Sequence, residues 1–182
     1  MFRRLHYFLS PQLDIYEAIA PHLVNKDVLD VGFGTGYGTL QFARYAKFVD
    51  GIDADVDAVQ FSYKSWPLPN TRWRLGDVTK MDESAQYDAV TMIECLEHVD
   101  NWQLALENVA RALRPNGVLY LSARNRNADL RRNGNHHREW TAGELLGHLA
   151  ETYWNISLFD YSLTMRQGPD SRVTPLVAVC TR

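Results

Sequence analysis

Two cysteines in 182 residues, Cys95 and Cys180, leave the chain without the thiols that a disulfide framework or a thiolate zinc site requires. A reducing, cytoplasmic setting is the expectation that follows. Long apolar runs are missing as well. The opening "MFRRLHYFLSPQ" breaks its apolar residues with arginines, and no stretch approaches the ~20 residues needed to cross a bilayer. Neither leader nor membrane span is expected. Neither sign of charge dominates, since the net charge is −3, so nothing draws the chain as a whole toward nucleic acid or membrane. There is no internal repeat, no low-complexity tract and no Walker lysine, which disfavours a nucleoside triphosphate loop. What remains is a chain with 46% hydrophobic and 23% charged residues, the balance of an ordinary globular domain. Its length fits one domain over 1–182 and is short for two.

The elements alternate. "SPQLDIYEAIAPHL" predicts a short leading helix capped at Ser10 with Pro11 at its first position, and the segment 1–26 is a candidate lid over a substrate. "KDVLDVG", "FVDGIDA" and "TRWRLGDV" read as strands, with "GTLQFARYA" and "VDAVQFSYKS" as the helices between them. "YDAVTMIECL" continues as a strand and "NWQLALENVARALRPNG" as a helix ending at Pro-Asn-Gly, before the strand "VLYLSAR". This order predicts an α/β fold with a parallel sheet and crossover helices. A polar stretch, "RNRNADLRRNGNHHREW", reads as a long loop. "TAGELLGHLAET" then predicts a helix with a capping box between Thr141 and Glu144. "YWNISLFDYSL" and "VTPLVAVCTR" read as two final strands separated by a turn in "TMRQGPDS", one of them antiparallel.

The chemistry gathers at the strand ends. "VLDVGFGTGYGT" passes from strand to helix through Gly32, Gly34 and Gly36, a junction at which a ligand can lie against main-chain N–H groups. The dinucleotide pattern Gly-x-Gly-x-x-Gly is broken by Tyr37 and Thr39, and Asp30 at the strand end would repel a pyrophosphate but attract an ammonium group. Asp53, 21 residues after Gly32 and followed by Ala54, is placed to accept from both hydroxyls of a ribose. Asp77 and Val78 end the third strand, where a carboxylate can meet the amine of an adenine and the valine can pack on its ring. An ammonium, a ribose and an adenine together describe S-adenosylmethionine.

With "VLDVGFGTG", "GIDAD", "GDV", "YDAVTMIECLEHV" and "LRPNGVLYLS" in this order, the chain resembles class I S-adenosylmethionine-dependent methyltransferases over about residues 10–182. The resemblance implies a Rossmann-like fold: a mostly parallel seven-stranded sheet of order 3-2-1-4-5-7-6, strand 7 antiparallel, with helices on both faces. It also implies that Asp30 and the glycine loop hold the methionine portion, Asp53 and Ala54 the ribose, and Asp77 and Val78 the adenine, with Glu94 beside the cofactor. The nitrogen-methylation signature (Asn/Asp)-Pro-Pro-(Tyr/Phe) is replaced by "IECL", and no Pro-Cys nucleophile is present. O-methylation of a small molecule is therefore the expected activity.

"ECLEHV" is similar to the corresponding segment of ubiquinone-pathway O-methyltransferases. Taken with "HHREWT", it is also similar to small-RNA 3′-terminal 2′-O-methyltransferases. Written on a helix, Glu94, Glu97 and His98 would share one face. The second resemblance implies that they and His136 hold a divalent ion, Mg²⁺, Mn²⁺ or Zn²⁺, that activates a ribose hydroxyl. Without a metal, His98 and His136 are the candidate general bases, with Glu97 beside them as a third catalytic candidate. A non-catalytic cofactor-binding module is the further alternative. Arg124, Arg126, Arg131, Arg132 and Arg138 could grip an anion, and Tyr37, Trp66 or Trp73 could stack a ring, although a solvated loop is the plainer reading.

Overall fold

The computed structural model of the chain describes residues 12–128 and 138–181. Five strands, β1 (Asp27–Val31), β2 (Phe48–Asp53), β3 (Thr71–Leu75), β4 (Tyr87–Ile93) and β5 (Leu113–Ala123), form the parallel part of one sheet. β6 (Asn155–Phe159), β7 (Arg166–Gln167) and β8 (Leu176–Thr181) complete it in the order β3-β2-β1-β4-β5-β8-β6-β7. β8 runs antiparallel to both β5 and β6. This is the predicted order, with β8 as the expected seventh strand. The eighth strand is the addition: two residues of "TMRQGPDS" pair with the end of β6.

Period-two alternation explains how the sheet divides its side chains. Leu29 and Val31 of β1 and Val90 and Met92 of β4 face a core built with helix α4 (Trp102–Ala112) and helix α5 (Ala142–Ala150). Val28, Ala89 and Ile93 face the opposite core, with helix α1 (Gln12–Ile19) and helix α2 (Tyr37–Phe42). Helix α3 (Val56–Ser65) packs on β3 and β2 at the edge. Ile15 and Ile19 of α1 are fully buried, and Tyr16 lies edge-on to Phe42, so this helix is part of the core. Each such aliphatic side chain contributes roughly 1.5–3 kcal/mol by leaving water. The expected cap at Ser10 and Pro11 and the remainder of 1–11 lie outside the described residues.

Three predicted boundaries shift. Helix α2 closes at Phe42 rather than Ala46, because Arg44 and Tyr45 donate to Gln41 and Phe42, bonds too short in span to continue an α-helix. β4 stops at Ile93 because Glu94 takes φ +50°, and Leu96–His98 forms a single 3-10 turn. β5 begins directly after α4. Its Leu113 pairs with Tyr87 and its Val118 with Ala89, so the Pro-Asn-Gly segment is a ladder irregularity inside the strand.

Candidate active site

A cavity of about 540 Å³ opens at the carboxyl ends of β1 to β4, the edge at which open α/β sheets bind ligands. Its walls are strand ends and the residues that follow them: Val31 and Gly32 at β1, Ile52, Asp53 and Ala54 at β2, Gly76 to Thr79 after β3, and Glu94 and Cys95 after β4. The loop from His98 to Asn101 closes it.

The glycine loop is shaped by φ and by neighbours. Gly32, Gly34 and Gly36 all lie at positive φ, and a Cβ on Gly32 would sit 2.3 Å from the Cys95 sulfur. Close approach of β1 and β4 at the cavity floor therefore requires glycine there. A Cβ on Gly36 would meet Ser62 Oγ at 2.6 Å and Trp73 at 2.8 Å. Trp66 donates its indole N–H to the Thr35 carbonyl at 2.7 Å, and Trp73 lies edge-on to Phe33. Both tryptophans thus brace the loop. Tyr37, the third candidate for stacking, lies against Tyr16.

Asp53 accepts the Gly34 N–H at 2.7 Å on one oxygen and the Asp55 N–H at 2.9 Å on the other. A carboxylate offers about four lone-pair sites, so each oxygen can still accept a ligand hydroxyl. Asp77 caps the 3-10 turn Val78–Lys80, accepting from the Thr79 N–H and hydroxyl, and pairs with Lys80 at 3.2 Å. The Thr79 bonds, with Lys80, hold its carboxyl below the usual range.

Asp30 is placed differently. It shares the face of Val28, beneath the loop, where Thr39 and Thr91 donate to its two oxygens at 2.6 and 2.7 Å. It does not line the cavity. Burial pushes it up to about 6 against the lowering effect of the two hydroxyls, with the Asp53 charge adding to the rise. Gly34 and Gly36 are also behind the lining, whereas Gly32 is in it.

The structure separates the side chains of "ECLEH". Glu94 and His98 line the cavity, and Glu97 is 1% exposed behind them, so the three do not share a helical face. Among the described residues, neither Glu97 carboxyl oxygen has a hydrogen-bond partner. Desolvation, then the charges of Glu94 and Glu139, push it up to about 8 despite Arg124. Glu94 is held by Ser122, whose Oγ accepts its N–H at 2.8 Å and lies 3.0 Å from its Oε1. Among the described residues no group of three His, Cys, Asp or Glu side chains is arranged to hold a metal ion, and His136 lies outside them.

Arg131 and Arg132 also lie outside the described residues. Arg124 pairs with Glu139 at 3.4 Å and Arg126 with Glu144 at 2.6 Å, while the Arg138 guanidinium is 5.3 Å from the Trp102 ring centre. Cys180 is a core residue, and Cys95 lines the cavity. The lining contains further residues that had not been singled out, Val99, Asp100 and Asn101 among them. Asn101 is the N-cap of α4, accepting from Leu104. Its place before the amphipathic "WQLALENVA" is the signal that could have found it.

Comparison with known proteins agrees with this geometry. A methyltransferase domain family matches residues 29–121, just over half of the chain. The demethylmenaquinone methyltransferase of Tropheryma whipplei is 40% identical over 97 residues, covering 52% of this chain and 40% of its own. The ubiquinone biosynthesis O-methyltransferase of Shewanella halifaxensis is 29% identical over 130 residues, covering 69% and 55%. The chain thus spans about half the length of the curated relatives it matches. In fold it is similar to the Burkholderia thailandensis 1,6-didemethyltoxoflavin-N1-methyltransferase, solved with S-adenosylhomocysteine. The TM-score is 0.73 at 20% identity, over 98% of this chain and 80% of that one. The chain belongs to the methyltransferase domain family, of the class I, S-adenosylmethionine-dependent type.

Proposed function

We propose that the chain transfers a methyl group from S-adenosylmethionine to an oxygen of a small hydroxylated molecule. The observation that carries the reading is the convergence of Gly32, Asp53, Asp77 with Val78, and Glu94 from four strand ends on one cavity. When bound, S-adenosylmethionine supplies a methyl group on a positively charged sulfur. Asp53 would accept from the ribose hydroxyls, and Asp77 with Val78 would form the adenine wall. Asp30, buried against Thr39 and Thr91 and outside the lining, would support the fold of β1 rather than touch the cofactor. His98, which lines the cavity as Glu94 does, would take the proton from the acceptor hydroxyl.

Oxygen as the acceptor is favoured by "IECL" in place of the nitrogen-methylation signature and by the relative named for ubiquinone biosynthesis O-methylation. The pairing of Arg124 and Arg126 with glutamates weighs against nucleic acid. Metal assistance would use the Glu97 carboxyl, but the described residues do not assemble a ligand set around it. Two free cysteines suit the cytoplasm, and no helix among the described residues is long and apolar enough to cross a membrane.

The test is methyl transfer to a panel of phenols and catechols, read by mass spectrometry of the methylated product and of S-adenosylhomocysteine. Acceptor-dependent product is expected, falling roughly 100-fold or more in His98→Ala. Tight cofactor binding with no transfer to any hydroxylated acceptor would favour a non-catalytic module instead.

A further inference from the structure

Asn108 was not among the expected site residues, and it does not line the cavity. It is 2% exposed on α4, in the amphipathic segment "WQLALENVARA", where an amide side chain is buried at a cost unless its polar atoms find partners. Its Nδ2 donates to the Val78 carbonyl at 2.9 Å. The same carbonyl lies 3.5 Å from the Met81 N–H of its own turn, a long bond by comparison. Three residues further along the helix, Arg111 donates to the Met81 carbonyl and, at 3.4 Å, to the Glu83 carbonyl. One side of α4 thus clamps the chain that follows β3.

The bond from Asn108 has a counterpart at the other end of the same peptide. The Val78 carbonyl and the Thr79 N–H belong to one planar unit. That N–H is donated to Asp77 Oδ1 at 2.9 Å, and the Thr79 hydroxyl reaches the same oxygen at 2.7 Å. Two side chains therefore pin one peptide, Asn108 by its carbonyl and Asp77 by its amide. Because the unit is planar, turning the carbonyl away from Asn108 turns the N–H away from Asp77. Asp77 Oδ2 has Lys80 at 3.2 Å, an exposed ion pair of the kind that holds a carboxylate only weakly. Asp77, Val78 and Thr79 all line the cavity.

We propose that Asn108 is a positioning residue: through the Val78–Thr79 peptide it fixes the Asp77 carboxylate on the cavity wall, and with it the affinity of the site for an amino-purine. The ligand half of this inference rests on the proposed cofactor. The half that concerns Asp77 stands without it.

Two measurements on the parent and Asn108→Leu test the two halves. The first is the titration of Asp77 without ligand, followed by carbon-13 NMR of its carboxyl group. In the parent the Thr79 bonds, with Lys80, hold it below the ordinary value of 3.8, and in the variant it is expected to rise toward that value. A residue that only filled space would leave it in place. The second is calorimetric titration of S-adenosylhomocysteine, whose affinity is expected to fall roughly three- to tenfold in Asn108→Leu, the size of one hydrogen bond. On an Asp77→Ala background the same substitution is expected to change that affinity less than about twofold, because no carboxylate is left to orient. An unmoved Asp77 titration, an unchanged affinity or an equal loss on both backgrounds overturns the inference. Should Asn108→Leu fail to fold, the parent decides: the Asn108 side-chain N–H signals are expected to shift as Asp77 titrates, and flat signals overturn the coupling. A folded parent that binds no S-adenosylhomocysteine overturns the proposed function and leaves the Asp77 titration to judge Asn108.

Discussion

Glu97 shows how much one backbone turn decides. Its carboxyl is raised to about 8 by burial and by its acidic neighbours, so the folded chain binds its proton more tightly than the unfolded chain does. The stability it contributes is fully present below the ordinary glutamate value of 4.5 and is lost as pH rises through about 8. Glu97→Gln removes that loss. In urea unfolding at a series of pH values, the variant is expected to gain on the parent steadily from about pH 5 to about pH 8 and to hold that gain above it. A constant gap across that range would mean that the buried carboxyl is not under this strain. The sequence presents Glu94 and Glu97 as equivalent acids three residues apart. Only the positive φ at Glu94 and the single 3-10 turn after it send one to the cavity and the other into the interior. Spacing carries no sign of that turn, whose Glu94 N–H is donated to Ser122, 28 residues away.

At the scale of elements, local chemistry was legible wherever the residues that decide a boundary lie inside the element. Helix α3 runs over the predicted Val56–Ser65, with Asp55 capping Asp57. Helix α5 carries the predicted capping box: Thr141 accepts the Glu144 N–H at 3.1 Å, and Glu144 accepts the Thr141 N–H at 2.8 Å. Thr141→Ala removes one half of that exchange and is expected to cost about 1 kcal/mol, read as a lower urea midpoint at unchanged slope. The boundaries that moved are those set by neighbours. β5 reaches back to Leu113 because Tyr87 pairs with it across the sheet, and a Pro-Asn-Gly read locally as a stop becomes a strand irregularity. β7 is two residues long and exists only by pairing with β6, so no periodicity could announce it.

At the scale of the molecule, the alternation of strands and helices gives a parallel sheet with crossover helices, and the resemblance to class I methyltransferases supplies the order of its strands. Crossover connections in a parallel sheet leave few topologies open, and the ligand edge follows from them. Gly32, Asp53, Asp77, Val78 and Glu94 all lie at that edge, around one cavity. The rule for that edge could not place Asp30, because a strand residue faces one side or the other of the sheet by parity, and Asp30 falls on the side of Thr39 and Thr91. The buried network of Asp50 with Arg72, Arg74 and Tyr87 was equally hidden, since it joins side chains from β2, β3 and β4 beneath the sheet's edge. Recognition of a ribose by Asp53 is the claim on which cofactor and reaction both depend. Its most direct test is calorimetric titration of S-adenosylhomocysteine into the parent and Asp53→Ala. Saturable binding to the parent and an affinity at least about tenfold weaker in the variant are predicted, the loss of one to two charge-assisted hydrogen bonds. No binding by the folded parent, or equal affinity in the two proteins, would contradict the account.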